Sequence, residues 1–435
     1  MSSDPCNPVL IIGGGISGLC LAQGLKKLGI PFKVFERDAE TAARAQGYRL
    51  RLLDGIEVIE KVAPAKVSAL FHATTAIFKF GVHKYDAITG ETRPFTEAEG
   101  DDQAPAGIRP HLARSPADGK DSRATTAATV DRRVLRDVLM TDIGDHVVFG
   151  KTYSHFEIEH NADCIRAFFT DGSSERGRLL VGADGKRSAV RRQHIPGHVM
   201  LDTGYGGFYG KTPLTAEMHE IFARNTDLQG LVVVSDTQTL SSSLDLLMEE
   251  VAWSPEARNS SSSSDAAVQV PEDYVYWVLF SERASLPFSE EELAGRVRSG
   301  KAAVQATLDL TKGWTAELRK IITCQARQET SYISVHSTSP DMKEWEPSRY
   351  VTLVGDAVHG MPPFAALGAN TALRGVQLLY QAIGQHGVQG LTEDTIGRFE
   401  AELRALAVEK IEESFESGRV TFRLKSPKEY QVLKA

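Results

Sequence analysis

Three glycine-bearing turns, each following an apolar run, carry the residues whose types and spacing can do chemistry. The first is Gly13-Gly14-Gly15 with Gly18, set between Val9-Leu10-Ile11-Ile12 and Ile16-Ser17-Gly18-Leu19. A four-residue apolar run is too short for a helix and reads as a buried parallel strand, and Leu19, Leu21, Ala22, Leu25 and Leu28 recur at helical spacing. In a strand–turn–helix unit Gly13 permits the tight turn, Gly15 lets backbone approach a pyrophosphate, and Gly18 lets helix and strand pack closely. A second strand, Phe32-Lys33-Val34-Phe35, ends at Glu36. That carboxylate, about 20 positions past the glycines, can accept both hydroxyls of an adenosine ribose and would repel a 2′-phosphate. Three glycines alone are more often just a turn; strand, helix, second strand and terminal Glu36 together point to a bound ADP-ribosyl moiety.

Two further turns close apolar strands far downstream: Asp184-Gly185 after Leu179 to Gly182, and Gly355-Asp356 after Tyr350 to Val354. In an open α/β sheet ligands bind at the carboxyl ends of the strands, so the three turns can converge on one extended cofactor. Asp356 can accept a hydroxyl from a sugar-alcohol chain. Beyond Pro362-Pro363, the segment Leu367-Gly368-Ala369-Asn370 opens a helix whose free N–H groups can face an electron-rich ring edge.

The elements between these turns divide the chain. Gly47-Tyr48-Arg49-Leu50-Arg51-Leu52 alternates as a strand, and Asp54 can cap the helix that follows it. From residue 85 to 128, Thr, Pro, Gly, Asp and Ala dominate, which predicts a long surface excursion. A helix starts at Asp131-Arg132-Arg133, with strands expected at 146–149, 152–159 and 165–169 forming a small meander. Residues 199–340 read as a different domain, with strands at 207–211, 231–235, 274–281 and 332–336 and a polar stretch from about 254 to 270 that includes the serine tract Ser260 to Ser264, read as a disordered loop. The rest, from Thr371, is helical, with Phe399, Leu403, Leu406 and Ala407 as its apolar stripe.

Composition narrows the partners. The chain has 435 residues, with 49 Lys plus Arg against 57 Asp plus Glu, a formal net charge of −8. That balance offers no basic field for nucleic acid or anionic lipid. No run reaches the roughly 18 apolar residues of a membrane span, and no basic segment precedes Val9 as in a signal peptide, so a cytoplasmic protein is expected. Cys6, Cys20, Cys164 and Cys324 are scattered without a CxxC pair, which argues against a metal site and against a redox dithiol. Flavin disulfide reductases share the opening fingerprint but need a close cysteine pair.

Taken in order, the Gly13/Gly15/Gly18 fingerprint with Glu36, the Gly182-Ala183-Asp184-Gly185 segment with Ser188 and Arg191, and Gly355-Asp356-Ala357-Val358-His359 with Pro362-Pro363, Gly368 and Asn370 resemble the class A flavoprotein monooxygenases. That family includes para-hydroxybenzoate and salicylate hydroxylases, and the resemblance spans nearly the whole chain. It implies an α/β fold: a Rossmann-like FAD-binding domain of the glutathione-reductase and para-hydroxybenzoate hydroxylase type, from residues 1–80, 129–198 and 346–385. A β-sheet substrate domain would come from 81–128 and 199–345, and a C-terminal helical region from 386–435.

By the same resemblance Glu36 would bind the adenosine ribose, Arg132 the FAD diphosphate or ribityl region, Asp356 the ribityl chain, and Gly368-Ala369-Asn370 with Pro363 the isoalloxazine surroundings. Gly47 to Arg49 would pass close to the flavin, and Asp184-Gly185 would serve both FAD and the nicotinamide donor, NADPH or NADH. The reaction implied is insertion of one oxygen atom from O2, through a flavin C4a-hydroperoxide, into a small aromatic, polyketide or alkaloid-type substrate, by a monomer or homodimer. The outcome is left open between hydroxylation, epoxidation and oxidative dearomatisation. Tyr209 and His336 are the candidates for lining the substrate pocket, each weighed against a plain core or surface role, and Arg51 for a substrate carboxylate, the flavin or a surface strand. Two departures stand out: Phe364-Ala365 follows the paired prolines where a small or polar residue and glycine are usual, and Arg374-Gly375 lacks the aspartate common in that helix. The chain stops soon after its last helix, so the thioredoxin-like domain of phenol hydroxylase relatives is not expected. Alternatives are a flavin-dependent halogenase, for which Trp253-Ser254-Pro255 is a poor match to W-x-W-x-I-P, and a non-catalytic FAD-fold binding protein, which would not need the Gly355-Asp356 and Pro362-Pro363 loop.

Overall fold

A computed structural model describes residues 8–39, 48–79, 81–93, 127–224, 230–261 and 268–433. Val9–Ile12 is buried at every position and lies at the centre of a five-stranded parallel sheet. Its strands run in the order Val351–Leu353, Leu179–Gly182, Val9–Ile12, Phe32–Phe35 and Val147–Val148. Parallel strands covered on both faces must be apolar throughout, which is why Val9–Ile12 and Leu179–Gly182 read as continuous runs rather than alternations. The helix Ile16–Lys27 and the long helix Gly368–His386 pack on this sheet, with Leu19, Leu21 and Leu25 sharing a core with Leu373, Val376 and Leu379. The carboxyl ends of Val9–Ile12, Leu179–Gly182 and Val351–Leu353 are therefore adjacent, and the three chemical turns follow them directly.

The second large element is a seven-stranded sheet. It runs Ser331–Thr338, Met200–Pro213, Tyr274–Glu282, Leu244–Val251, Leu231–Asp236 and Val82–Asp86, with Gln431–Val432 added beside Met200–Pro213. One face carries Phe208, Val275, Trp277 and Leu279 and is covered by Met218, Ala303, Leu318 and Ile321 from its own helices. The other carries Tyr205, Tyr209, Tyr274, Tyr276 and Phe280 and meets Met361, Phe364 and Leu367 from the loop after Asp356, and Phe415 and Phe422 from the last helix, Glu393–Phe422. Tyr153–Glu159, Cys164–Phe169 and Ser174–Gly177 form a separate three-stranded antiparallel sheet. Among the described residues no helix is long and apolar enough to cross a membrane.

Several local expectations change. Val82–Asp86 is an edge strand rather than the start of a surface excursion, pairing in parallel with Leu231–Asp236; residues 94–126 lie outside the described residues. Leu244–Val251 is an interior strand that alternation hides, because it carries Asp245, Glu249 and Glu250. Glu249 and Glu250 are tolerated there because partners from elsewhere in the chain reach them, Arg49 and Arg51 at Glu249 and Lys79 at Glu250, while Asp245 accepts from the Ser243 hydroxyl. Pro255–Ser261, inside the supposed serine-rich loop, is a short helix. Asp54 does not cap its helix: Leu53 is the cap residue, and the N–H groups of Leu53 and Gly55 both donate to Asn370 Oδ1, at 2.8 and 3.2 Å.

Candidate flavin and substrate site

The glycine turn is closed by contacts that tolerate no side chain. Gly13 has φ +114°, and a Cβ there would overlap the Ala183 carbonyl, so the first turn lies directly against the second. Gly15 caps the helix Ile16–Lys27 without any side-chain acceptor, and the position its Cβ would take faces open space. An uncapped helix N-terminus beside a glycine with space above it is the cradle a diphosphate requires. Glu36 lies at the rim, accepting the Gly14 N–H on Oε2 at 2.8 Å and the Asp38 N–H on Oε1 at 3.0 Å. Each carboxylate oxygen keeps a further lone pair for a ribose hydroxyl.

Asp131 caps the next helix by accepting from Arg133 and Val134 N–H. Arg132, its first residue, lies over the Tyr48 ring at 5.5 Å. One turn later Arg136 donates Nε to the Gly14 carbonyl at 3.0 Å. Sequence reasoning selected Arg132 and passed over Arg136, although the four-residue spacing puts both on one helix face. Gly47 lies outside the described residues.

In the second turn Gly185 has φ +79°. Asp184 accepts Ala189 N–H on Oδ2 at 2.7 Å, while its buried Oδ1 has no partner among the described residues. Burial pushes its carboxyl above the ordinary value against those hydrogen bonds. Arg191 donates Nη1 to the Ala357 carbonyl at 2.8 Å and Nη2 to the Lys186 carbonyl at 2.9 Å, tying the second turn to the third.

The third turn begins at Gly355, with φ +64°, where a Cβ would overlap Ser17 Oγ. The half-buried Asp356 is thereby brought beside the first turn of the glycine helix. Buried His359 is held neutral, because burial lowers its pKa. Pro363–Ala365 forms a short helical turn, and Phe364 packs against Phe280 at 5.2 Å and Phe422 at 4.8 Å. The unusual residue after the prolines thus bonds the loop to the tyrosine-bearing sheet face and the last helix. Gly368–His386 starts without a side-chain cap. All four hydrogen-bonding sites of the Asn370 amide are used: besides the two N–H groups it accepts, Nδ2 donates to the Arg51 and Ala366 carbonyls at 3.0 and 3.1 Å. Its side chain staples strand Arg49–Leu52 to the helix, and what remains for a ligand is the backbone N–H of Gly368, Ala369 and Asn370.

Tyr209 and His336 do not share a pocket. Tyr209 is on the sheet face of Tyr205 and Tyr276, 5.6 Å from Tyr48 and 5.8 Å from Phe280. Burial pushes its phenol well above the ordinary value, so it is a neutral hydrogen-bonding group. His336 stands two and four residues from Ser334 and Tyr332, and so on the opposite face, beside Asp202 across the strand pair. Burial lowers its pKa although Asp202 opposes the shift.

Between the strand pair Arg49–Leu52 and Ala128–Asp131 and the large sheet runs a buried polar seam. Arg49 and Arg51 both bond Glu249, and Thr129 Oγ1 donates to it at 3.2 Å. Asp131 Oδ2 accepts from Lys211 Nζ and from the Tyr274 hydroxyl, each at 2.7 Å. Nothing in the order of residues marked Glu249 and Lys211, whose partners in the seam lie 80 to 200 positions away in the chain.

A parallel sheet with three ligand turns at its carboxyl edge, two uncapped helix N-termini and a facing aromatic sheet defines a two-part dinucleotide-binding flavoprotein, and the donors and cradles present fit FAD. Comparison with known proteins agrees. The family model described as FAD binding domain matches residues 7–411, and the chain belongs to this family of class A FAD-dependent monooxygenases. It is 35% identical to the dual O-methyltransferase/FAD-dependent monooxygenase elcB of Phaeosphaeria nodorum, over 98% of this chain and 47% of that protein. It is 27% identical to the FAD-dependent monooxygenase phnB of Penicillium herquei, over 96% of this chain and 92% of that one. The chain spans about half the length of elcB and of the similar dual protein CTB3 of Cercospora beticola, to which it is 34% identical over 93% of its own length and 45% of CTB3. The fold matches Klebsiella pneumoniae HpxO complexed with FAD and uric acid, with a TM-score of 0.64, 20% identity and coverage of 95% and 88%. It also matches 2,6-dihydroxypyridine-3-hydroxylase of Arthrobacter nicotinovorans, with a TM-score of 0.69, 14% identity and coverage of 99% and 98%.

Proposed function

We propose that this chain is an FAD-dependent, NAD(P)H-using monooxygenase that inserts one oxygen atom of O2 into a small aromatic secondary-metabolite substrate, the other atom leaving as water with the donor's two electrons. The observation that carries the reading is the convergence of the Gly13, Asp184 and Gly355 turns opposite a sheet face lined by Tyr205, Tyr209, Tyr276 and Phe280. When bound, FAD supplies the oxygen-activating redox chemistry. The parallel-sheet part holds it. The N–H groups above Gly15, with Arg132 and Arg136, neutralise the diphosphate; Glu36 takes the adenosine ribose and Asp356 the ribityl hydroxyls; the N–H groups at Gly368 to Asn370 face the ring edge, with Pro363 bounding it. Asp184 and Gly185 border the approach of the nicotinamide.

The large sheet holds the substrate. Tyr209, kept neutral by burial, orients a substrate hydroxyl, and the surrounding rings exclude water that would divert the reduced flavin towards H2O2. A halogenase reading finds no support. Because elcB and CTB3 join an O-methyltransferase to the monooxygenase, aromatic polyketides bearing free hydroxyls are the first substrates to test. The test is to measure NADPH oxidation, O2 uptake and product mass with a panel of phenols, indoles and polyketides. A mass gain of one oxygen with coupled NADPH use is expected. A protein that binds no flavin, or whose NADPH use no aromatic compound accelerates, would overturn the reading.

A further inference from the structure

The last helix, Glu393–Phe422, carries Ser414, Gly418 and Phe422 at four-residue steps, one stripe along its surface. Each meets the loop between Asp356 and Gly368. Ser414 Oγ donates to the Pro362 carbonyl at 2.6 Å. The Phe422 ring packs on the Phe364 ring at 4.8 Å. Between these two fastenings Gly418 leaves a hollow in the helix: a Cβ there would stand 2.9 Å from Phe364 Cδ2 and 2.9 Å from Leu424 Cδ2, too close for either to stay where it is. Phe280 at 5.2 Å and Tyr205 at 6.5 Å, both from the large sheet, close the hollow on its other side, and Phe364 seated there is 7% exposed.

Two residues further on, Ala366 has φ +54° and ψ +26°, the left-handed conformation. A Cβ there crowds the following carbonyl oxygen, so a residue other than glycine keeps this conformation only where its flanks are fixed. Both flanks are fixed here. On one side is the seated Phe364 ring; on the other, Asn370 Nδ2 donates to the Ala366 carbonyl at 3.1 Å while also holding the Arg51 carbonyl. Gly368, where the uncapped helix Gly368–His386 begins, follows two residues after Ala366, so the course of the chain at Ala366 sets where the N–H groups of Gly368, Ala369 and Asn370 stand. That helix packs in the core of the parallel-sheet part, whereas the loop leading into it is held by the last helix and the large sheet.

We propose that Phe364 is a positioning residue for the flavin: seated in the Gly418 hollow, it keeps Ala366 left-handed and thereby fixes the Gly368 to Asn370 N–H groups at the ring edge. The proposal rests on the flavin monooxygenase reading. A helix N-terminus favours negative charge beside its first turn, so N–H groups held at the ring edge stabilise the electron-rich reduced flavin over the oxidised one. Displacing Phe364 from either side, by emptying the hollow or by filling it, moves those groups away and withdraws that preference.

The experiment uses the FAD-loaded protein and reads the midpoint potential of its flavin, by anaerobic equilibration with redox dyes, together with the melting temperature. Phe364→Ala empties the hollow. Gly418→Ala fills it, and because alanine favours a helix over glycine it does so without weakening the helix itself. Both variants should shift the potential to more negative values. Adding Phe364→Leu to Gly418→Ala shortens the side chain that the new Cβ meets and should return most of the shift, so that the two changes are non-additive. A wild-type potential in Gly418→Ala or in Phe364→Ala, or additive shifts in the pair, would overturn the proposal, and Gly418→Ala decides it even if Phe364→Ala does not fold. A lowered melting temperature with an unmoved potential leaves Phe364 a purely structural role and overturns it likewise. FAD content and reduction by NADPH, measured on the same wild-type protein, separate the two readings: their loss defeats the monooxygenase assignment, whereas bound and reducible flavin of unmoved potential in the variants defeats only the positioning role.

Discussion

Arg191 donates one guanidinium nitrogen to the Ala357 carbonyl and the other to the Lys186 carbonyl, so a single buried side chain fastens the Asp184-Gly185 turn to the Gly355-Asp356 turn. The two turns end neighbouring parallel strands, Leu179–Gly182 and Val351–Leu353, and the proposed function puts both beside the flavin. Replacing Arg191 with Met should remove both bonds and leave two carbonyls unpaired, at a cost of about 2–4 kcal/mol. Urea unfolding and the flavin-to-protein ratio check this: both should fall, and unchanged flavin content would detach Arg191 from the cofactor site.

Gly355→Ala should be harmful for two separable reasons, the positive φ and the overlap with Ser17 Oγ. The backbone term alone is about 1–3 kcal/mol. Adding Ser17→Gly removes the overlap and leaves the φ penalty, so the double variant should recover part of the lost melting temperature. No recovery at all would mean that the close approach of Gly355 to Ser17 is not what the glycine is for.

Glu36→Ala and Asp356→Ala should each weaken FAD binding by about 10- to 100-fold, the scale of one or two hydrogen bonds to a charged group. Glu36→Ala also strips the acceptor from the Gly14 N–H, so it should be the more harmful to the free protein as well. FAD titration by quenching of flavin fluorescence reads both. Full affinity in either variant removes that residue from the site.

Glu400, on the last helix, gives a pH dependence that has nothing to do with the flavin. Burial pushes its carboxyl from the ordinary 4.5 to about 7, against the hydrogen bond it accepts from Thr352 Oγ1 at 2.6 Å. The folded protein therefore holds this proton over a range in which the unfolded chain has lost it. Below about 4.5 both states are protonated and Glu400 costs nothing; the penalty grows between about 4.5 and 7 and is constant above, at most about 3 kcal/mol. Glu400→Gln should raise stability at pH 8 and leave it unchanged at pH 4, measured by thermal unfolding. Equal effects at both values would contradict the assignment.

The cofactor half of this protein is legible in its order of residues because local geometry forces it. A glycine turn between a buried strand and a helix constrains Gly13, Gly15, Gly18 and Glu36 within about 25 positions of one another, and the turns at Asp184 and Gly355 repeat the pattern. The substrate half obeys no such local rule. Leu244–Val251 looked unlike a strand because its acids are neutralised by residues some 170 to 200 positions away, and Tyr209 and His336 looked alike until strand alternation set them on opposite faces. The Asn370 amide is fully used in bonds to Leu53, Gly55, Arg51 and Ala366, a set of partners that its place after the paired prolines does not announce.

By itself, then, the sequence determined the family and its cofactor, since a dinucleotide is gripped largely by backbone and the glycines that expose backbone are conspicuous wherever they stand. Only the tertiary structure decided which charged groups face each other across the seam. Arg49, Arg51, Lys211, Asp131 and Glu249 come from segments far apart in the chain, and the surplus of positive charge among them exists only once burial removes the water that would otherwise screen it.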